Sequence, residues 1–235
     1  MKKDLLKKCL IIAVVLAVLA LSLVRVLLPR RPAYEYQDSY KPGDTLFMGV
    51  YAGQPVEWLV AETDGDDCLL VSRYGLETRR YNEVWQPTSW AECTLRAWLN
   101  EDFLNSCFTE KERAAILLTP VDNGEENCNP AYTVGGGENT EDRVFLLSYA
   151  EANLIFGETG GACAPTDHAV KTGAHTSERY QADGRPAGWY WLRSPGFDTD
   201  YVAMISTDGT RTYDYVTRSS AMVRPALWVS PQKLK

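Results

Sequence analysis

The distribution of apolar residues predicts two groups of β-strands, one early and one late in the chain. Short apolar runs bounded by Gly, Pro and Asp are typical of antiparallel hairpins. Asp208-Gly209 separates two of the late runs and is a strong signal for a two-residue turn. The predicted strands are 44–51, 56–62 and 68–74 in the first group, and 189–193, 201–207, 210–216 and 223–229 in the second.

The middle of the chain has the spacing of helices. Between residues 91 and 108, large apolar residues recur every three to five positions, which places them on one face of a helix. Two later Ser/Thr residues are each followed three positions on by Glu, the spacing of a capping box, so further helices should begin there. These pairs are Thr109 with Glu112 and Ser148 with Glu151.

The order of these elements predicts an α+β domain. A parallel α/β sheet would alternate strands and helices, whereas here strands come first, helices follow and strands return. Residues 157–187 show no periodicity and are predicted to be a long loop, a kind of segment that is often functional. We expect this loop and the turn 194–200 to line any ligand site, since binding residues collect on loops carried by a rigid sheet.

The first 31 residues predict a membrane anchor. Four lysines precede a mostly apolar run of about 20 residues, long enough to span a bilayer and oriented with its N-terminus in the cytoplasm. The predicted organisation is a cytoplasmic tail (1–8), a transmembrane signal anchor (9–28), a linker (29–41) and an extracellular domain (42–232) of a single-pass membrane protein. A cleaved signal peptide, cut near Ala20-Leu21-Ser22, is the alternative.

The charge of the chain limits the classes of partner that it can bind, and its cysteines allow disulfides. The whole chain carries −7 and its first 31 residues carry +6, so the remainder carries −13. An outer domain that acidic is a poor partner for nucleic acid. Five cysteines follow the anchor without any CxxC pair, and an exterior location permits disulfides. A Cys93–Cys107 bridge needs a break in the helix between them, and buried free thiols are the equal alternative.

The stretch "GWYWLRSPG" at 188–196 places Trp189, Trp191 and Arg193 on one face of a strand. The opposite face is apolar as well, so the strand either lies inside the fold or turns its aromatic rings toward a ligand. Together with the later "VRPALWV", it resembles an uncharacterised domain family of surface proteins from Firmicutes-type bacteria. Other stretches carry the same resemblance in order: "GDTLFMGVY", "PVEWLVAE", "CTLRAWLNEDF" and "DRVFLLSYAEA".

The final third is also similar to the closing strands of C-type-lectin-like domains, which implies a lectin-like antiparallel sheet with two or three short helices. The family resemblance implies a packed framework, because its signature residues include no repeated acid, base or nucleophile. We therefore interpret a set of large and cationic residues as structural, with the arginines held by carboxylates or carbonyls. This set is Arg96, Trp98, Trp189, Trp191, Arg193 and Arg224.

Motifs for chemistry are missing from the sequence, so we expect neither a metal nor a cofactor. The calcium-site pattern of sugar-binding lectins is not present, and Cys163, Asp167 and two histidines have no metal-ligand spacing. There is no Gly-x-Ser-x-Gly elbow or phosphate-binding loop. The predicted function is a non-catalytic module that binds a glycan or protein ligand. The candidate binding residues are Asp167, His168, His175, Arg179, Asp198 and Asp200.

Two alternatives remain at this point. A cell-envelope hydrolase could use Asp198 and Asp200 as paired acids. A structural module of an envelope assembly would need neither a pocket nor catalytic groups.

Overall fold

The computed structural model describes residues 32–235. Within that range, Tyr34–Lys235 form one compact unit. The predicted tail (1–8) and anchor (9–28) lie outside the described residues and stay predictions, as does the membrane location. No helix among residues 32–235 is both long and apolar enough to cross a membrane.

Strands make up most of the regular structure of the described residues. The strands are β1 (Thr45–Tyr51), β2 (Gln54–Asp64), β3 (Asp67–Ser72), β4 (Glu77–Thr78), β5 (Thr119–Val121), β6 (Thr140–Asp142), β7 (Thr176–Ala182), β8 (Arg185–Gly188), β9 (Tyr190–Pro195), β10 (Tyr201–Ile205), β11 (Arg211–Tyr215), β12 (Met222–Val223) and β13 (Ala226–Val229).

Four helical segments lie between them in the described range. The first is continuous and consists of α1 (Thr94–Trp98), a π turn (Leu99–Phe103) and α2 (Leu104–Cys107). The others are α3 (Glu110–Ala115), α4 (Tyr149–Phe156) and α5 (Asp167–Thr172). Both predicted capping boxes are confirmed, at Thr109 before α3 and at Ser148 before α4. Short 3-10 turns occupy Glu125–Asn127 and Pro231–Leu234.

The strands form two main sheets and two ribbons. One sheet has the order β1-β2-β3-β13 and the other has the order β11-β10-β9-β12-β4. The ribbons pair β5 with β6 and β7 with β8. Strand β9 therefore lies at the centre of the five-stranded sheet, while β11 forms one of its edges.

Two chain segments pass side by side from one sheet to the other. One leads from β3 to β4, and the second leads from β12 to β13 through Arg224 and Pro225. The Ser72 amide donates to the Pro225 carbonyl over 2.9 Å, and the Leu76 amide donates to Val223 over the same distance. These bonds join the early and late parts of the chain at the boundary between the sheets.

The fold class predicted from the sequence is wrong. Instead of one lectin-like antiparallel sheet with two or three helices, the described residues hold two main sheets, two ribbons and four helical segments. In addition, β9 and β12 run parallel. The predicted strand 223–229 explains part of the error: Pro225 has no amide hydrogen to continue a ladder, so the strand divides and its halves join different sheets.

The prediction of a long loop at 157–187 is also wrong, because this segment contains α5, β7 and all but the last residue of β8. The Thr166 hydroxyl caps the start of α5 by accepting from the Ala169 amide. Asp183 and Gly184 make the tight turn between β7 and β8, with φ of 52° and 71°. A six-residue helix is too short to show periodicity, and β7 is too polar to resemble a half-buried strand.

The predicted linker 29–41 is partly incorporated into the fold. Tyr36 and Tyr40 pack against the core, and the Tyr34 hydroxyl donates to the Gly49 carbonyl over 3.1 Å. Asp38 forms an ion pair with Lys235, so this segment lies against the end of the chain.

The cysteines of the described residues are all buried, and none of them forms a disulfide. The helical segment from α1 to α2 does not break, which leaves Cys93 and Cys107 at its opposite ends. Burial raises the pKa of the Cys93 thiol to about 12. Burial also raises the pKa of the Cys68, Cys128 and Cys163 thiols. These four thiols are therefore packing groups with little nucleophilic character at neutral pH.

Candidate functional site

The tryptophan-bearing strand lies mainly in the interior. Trp191 is fully buried, and its indole Nε1 donates to the Arg79 carbonyl over 2.8 Å. Trp189, just before β9, is half-buried, donates to the Ser220 carbonyl over 3.1 Å and stacks on the His175 ring at 4.0 Å. These aromatic rings join β9 to the neighbouring segments and offer no open platform.

Arg193 is a buried cation with a complete set of partners. It forms an ion pair with Glu151 and donates to the carbonyls of Leu146 and Asp122, each over 2.9 Å. Glu151 also closes the capping box at the start of α4. The arginine therefore fixes the position of α4 and of the segment 122–127 against the centre of the sheet.

Arg224 and Arg96 connect other pairs of structural elements. Arg224 is buried at the crossing between the sheets, where it donates to the Ser72 carbonyl and to the Tyr190 hydroxyl, both over 2.9 Å. Arg96 donates to the buried Asp142 carboxylate over 2.7 Å. Trp98 lies under the Arg79 guanidinium, whose centre is 4.1 Å from the ring centroid. The remaining predicted framework residues thus sit at contacts between elements.

A continuous aromatic surface lies on the outer face of β10 and β11. Each of its six rings contacts at least one other, with centroids 4.1–6.3 Å apart. Trp85 is 64% exposed, and three further rings are 40–42% exposed. We call this set the aromatic surface: Trp85, Tyr132, Phe197, Tyr201, Tyr213 and Tyr215.

Strand register creates the centre of this surface. Tyr201 on β10 pairs with Tyr215 on β11, and their rings approach to 4.3 Å. Tyr213 precedes Tyr215 by two positions and therefore points to the same side. Phe197, from the turn between β9 and β10, lies 4.1 Å from Tyr201 and 4.7 Å from Tyr213. The late hairpin predicted from Asp208-Gly209 thus carries half of the rings.

Trp85 is held in place from a distant loop. Its indole Nε1 donates to Asp200 Oδ2 over 2.9 Å, and its ring meets Tyr215 edge-on at 5.3 Å. The Thr88 amide donates to the Thr199 carbonyl over 2.9 Å, which ties the loop to the turn 194–200. The most exposed ring therefore has a fixed orientation with a face open to solvent.

Carboxylates surround the rings. Asp198 accepts from the Thr199 amide, Asp200 accepts from Trp85, and Asp214 pairs with Arg218. The pKa of Tyr201 is raised to about 12, mainly by its hydrogen bond with Tyr215, and further by burial and by the charges of Asp200 and Asp214. Asp198 and Asp200 lie at the protein surface and not in a cleft that would desolvate one of them, as the acid of a hydrolase requires.

A groove elsewhere contains two of the predicted binding residues. Its volume is about 260 Å³, and Asp167 and His168 of α5 line one side, with Arg185 at the rim. His168 Nε2 lies 3.6 Å from Glu77 Oε2, and the Tyr51 hydroxyl donates to that oxygen over 2.6 Å. Burial, followed by Glu77, raises the pKa of Tyr51. The groove is preformed, but its polar groups are already paired with one another.

The predicted binding residues therefore do not form one site. Asp167 and His168 line the groove, while Asp198 and Asp200 border the aromatic surface. His175 stacks on Trp189, and Arg179 lies over Tyr180 at 5.3 Å. Among residues 32–235, no three His, Cys, Asp or Glu side chains come together in a way that could hold a metal ion.

Sequence reasoning missed most of the aromatic surface. The alternation in "TRTYDYV" places Tyr213 and Tyr215 on one face, and the hairpin register adds Tyr201. These three rings of the aromatic surface could therefore be predicted from the sequence. Trp85 and Tyr132 come from loops whose position depends on tertiary contacts. No local pattern identifies these two rings.

Comparison with known proteins places the chain in a family. A family model matches residues 65–231, a segment that contains all six rings of the aromatic surface. No curated protein and no solved structure matches the chain. The chain belongs to the family described as Domain of unknown function (DUF6273).

Proposed function

We propose that the folded unit is a non-catalytic binding module that recognises a glycan through the aromatic surface. The observation that carries this proposal is the exposure of four rings within a contiguous set of six, which covers one face of the β10–β11 hairpin and the loops beside it. A soluble domain rarely leaves a contiguous apolar patch of this kind in water unless it binds something. Flat aromatic rings present apolar faces that match the C–H faces of sugar rings.

The polar groups that border the aromatic surface favour binding of a polar ligand. The carboxylates of Asp198 and Asp200 can accept hydrogen bonds beside the rings, and the hydroxyls of the tyrosines can donate or accept them. Apolar contact combined with a few polar groups of fixed orientation is the usual composition of a small-molecule site. The rings are also held by contacts within the protein, so little order has to be gained on binding.

The test is the binding of purified full-length protein to a panel of polysaccharides, measured by retention on insoluble polymers and by titration calorimetry with soluble oligomers. We expect at least one glycan to bind. Trp85→Ala and Tyr213→Ala should each weaken that binding about tenfold, a change of 1–2 kcal/mol that corresponds to the loss of one stacked ring.

Phe47→Ala is the matched control, because Phe47 is 45% exposed but lies on β1, outside the aromatic surface. It should leave the affinity unchanged, while circular dichroism should show folded protein for all three variants. Full affinity in Trp85→Ala and Tyr213→Ala would place the glycan elsewhere. Retention of no glycan by the wild type would refute the proposal and favour a protein ligand.

A further inference from the structure

The charges around the aromatic surface are unbalanced. Asp214 has Arg218 as a partner at 2.6 Å, but among the described residues no Lys, Arg or His forms an ion pair with Asp198 or Asp200. Asp200 uses one carboxylate oxygen to accept from Trp85. Asp200, beside Trp85, and Asp198, next to Phe197 in the same turn, therefore have no cationic partner among the described residues.

The rings experience this negative charge. The pKa of Tyr201 is raised to about 12, first by the hydrogen bond with Tyr215, and Asp200 and Asp214 add to the rise through their charges. A carboxylate disfavours a second negative charge nearby and favours a positive one by the same interaction. The aromatic surface therefore combines apolar rings with a negative electrostatic potential.

We propose that the aromatic surface selects glycans that carry free amino groups, an inference that rests on the proposed function. An ammonium group is attracted by the π faces of Trp and Tyr as well as by carboxylates. The open face of Trp85 and the neighbouring Asp200 offer both to the same group. A neutral sugar gains only the ring contacts, and an anionic one is repelled by a domain that carries about −13 between residue 32 and the end of the chain.

The experiment compares two oligosaccharides of equal length, an N-acetylated glucosamine oligomer and its fully deacetylated form, in calorimetric titrations of the full-length protein at pH 6. The amine-bearing oligomer should bind about tenfold more tightly at 20 mM salt. This preference should shrink at about 0.5 M salt, because exposed charges are then screened.

The decisive variant is Asp198→Asn with Asp200→Asn, which removes both charges but keeps an oxygen that can accept from Thr199 and Trp85. It should bring the amine-bearing oligomer to the affinity of the N-acetylated one, whose own binding should not change. Asp66→Asn is the control, since Asp66 is exposed in the turn between β2 and β3, in the other sheet. It should leave the preference intact.

The outcomes separate the two proposals. Equal binding of both oligomers, or a preference that survives in the double variant, overturns amine selection while glycan binding stands. Binding of neither oligomer, nor of any polysaccharide on the panel, refutes the function itself. A lysine-rich peptide that binds more tightly than the amine-bearing oligomer overturns the inference and identifies a cationic protein segment as the ligand.

Discussion

Strand β9 and the aromatic surface have similar compositions and opposite environments. Trp191, Tyr190 and Arg193 on β9 are buried, while Tyr213 and Tyr215 on β11 are about 40% exposed. The sheet order accounts for the difference: β9 has β10 and β12 as neighbours, whereas β11 is an edge. The buried groups also have partners on both faces of the sheet. Position within the sheet, and not aromatic content, decides which rings hold the fold and which can meet a ligand.

The strongest test of this contrast compares two tryptophans. Trp191→Ala should lower the free energy of unfolding by about 3–5 kcal/mol, because it empties a fully enclosed site and removes the donor to the Arg79 carbonyl. Trp85→Ala should change it by less than about 1 kcal/mol, since that ring is mostly in solvent. Urea unfolding followed by far-ultraviolet circular dichroism measures both.

If Trp191→Ala does not fold, Trp191→Phe provides a milder version with an expected loss of about 1–2 kcal/mol. A loss in either variant no larger than that of Trp85→Ala would contradict the assignment of β9 to the framework.

A second comparison concerns two arginines. Arg193→Met should cost about 3 kcal/mol, because Glu151 and the carbonyls of Leu146 and Asp122 lose their donor. Arg218→Met should cost at most about 1 kcal/mol, since its pair with Asp214 is at the surface. Glu151 is about one third exposed, so water can replace part of what it loses. Equal midpoints of urea unfolding for the two variants would show that Arg193 does not hold α4.

The features that the sequence predicts correctly are local ones. Thr109 and Ser148 begin their helices, because the residues that determine each cap lie within four positions. Asp208-Gly209 lies in the predicted hairpin, but Ser206 faces Thr210, so the turn has three residues and not the predicted two. The Asp183-Gly184 turn between β7 and β8 is an Asp-Gly pair of the same local kind, although the predicted loop 157–187 did not include a hairpin there. The assignment of the framework residues stays a prediction, although the structure places these residues at contacts between elements.

The features that the sequence could not supply depend on distant contacts. The predicted strand 223–229 overlooked the break that Pro225 imposes, and the sheet that each half joins depends on pairing with β3 and β4, about 150 residues earlier. Trp85 joins the aromatic surface only because its loop is tied to Thr199 and Asp200. Neither arrangement leaves a periodic pattern in the chain.

The smallest expected effect separates two tyrosines whose pKa values are raised to about 12 for different reasons. Burial is the main cause for Tyr190 on β9, whereas the hydrogen bond with Tyr215 is the main cause for Tyr201 on the surface. Tyr215→Phe should therefore return the pKa of Tyr201 toward its usual value of about 10 and leave Tyr190 unchanged. NMR titration of tyrosine ring carbons, with Tyr190→Phe and Tyr201→Phe for assignment, measures both values. A Tyr201 pKa that stays near 12 in Tyr215→Phe would show that burial, and not the hydrogen bond, is the main cause for this ring too, and the aromatic surface would be less open than its contacts indicate.

For Tyr190 the folded pKa exceeds the unfolded one, so its contribution to stability is complete below about pH 10 and is lost as the pH rises through about 12. The alkaline loss of stability should thus be smaller in Tyr190→Phe than in the wild type, a difference that Tyr215→Phe should not reproduce if the surface and interior tyrosines are as separate as their positions in the sheet imply.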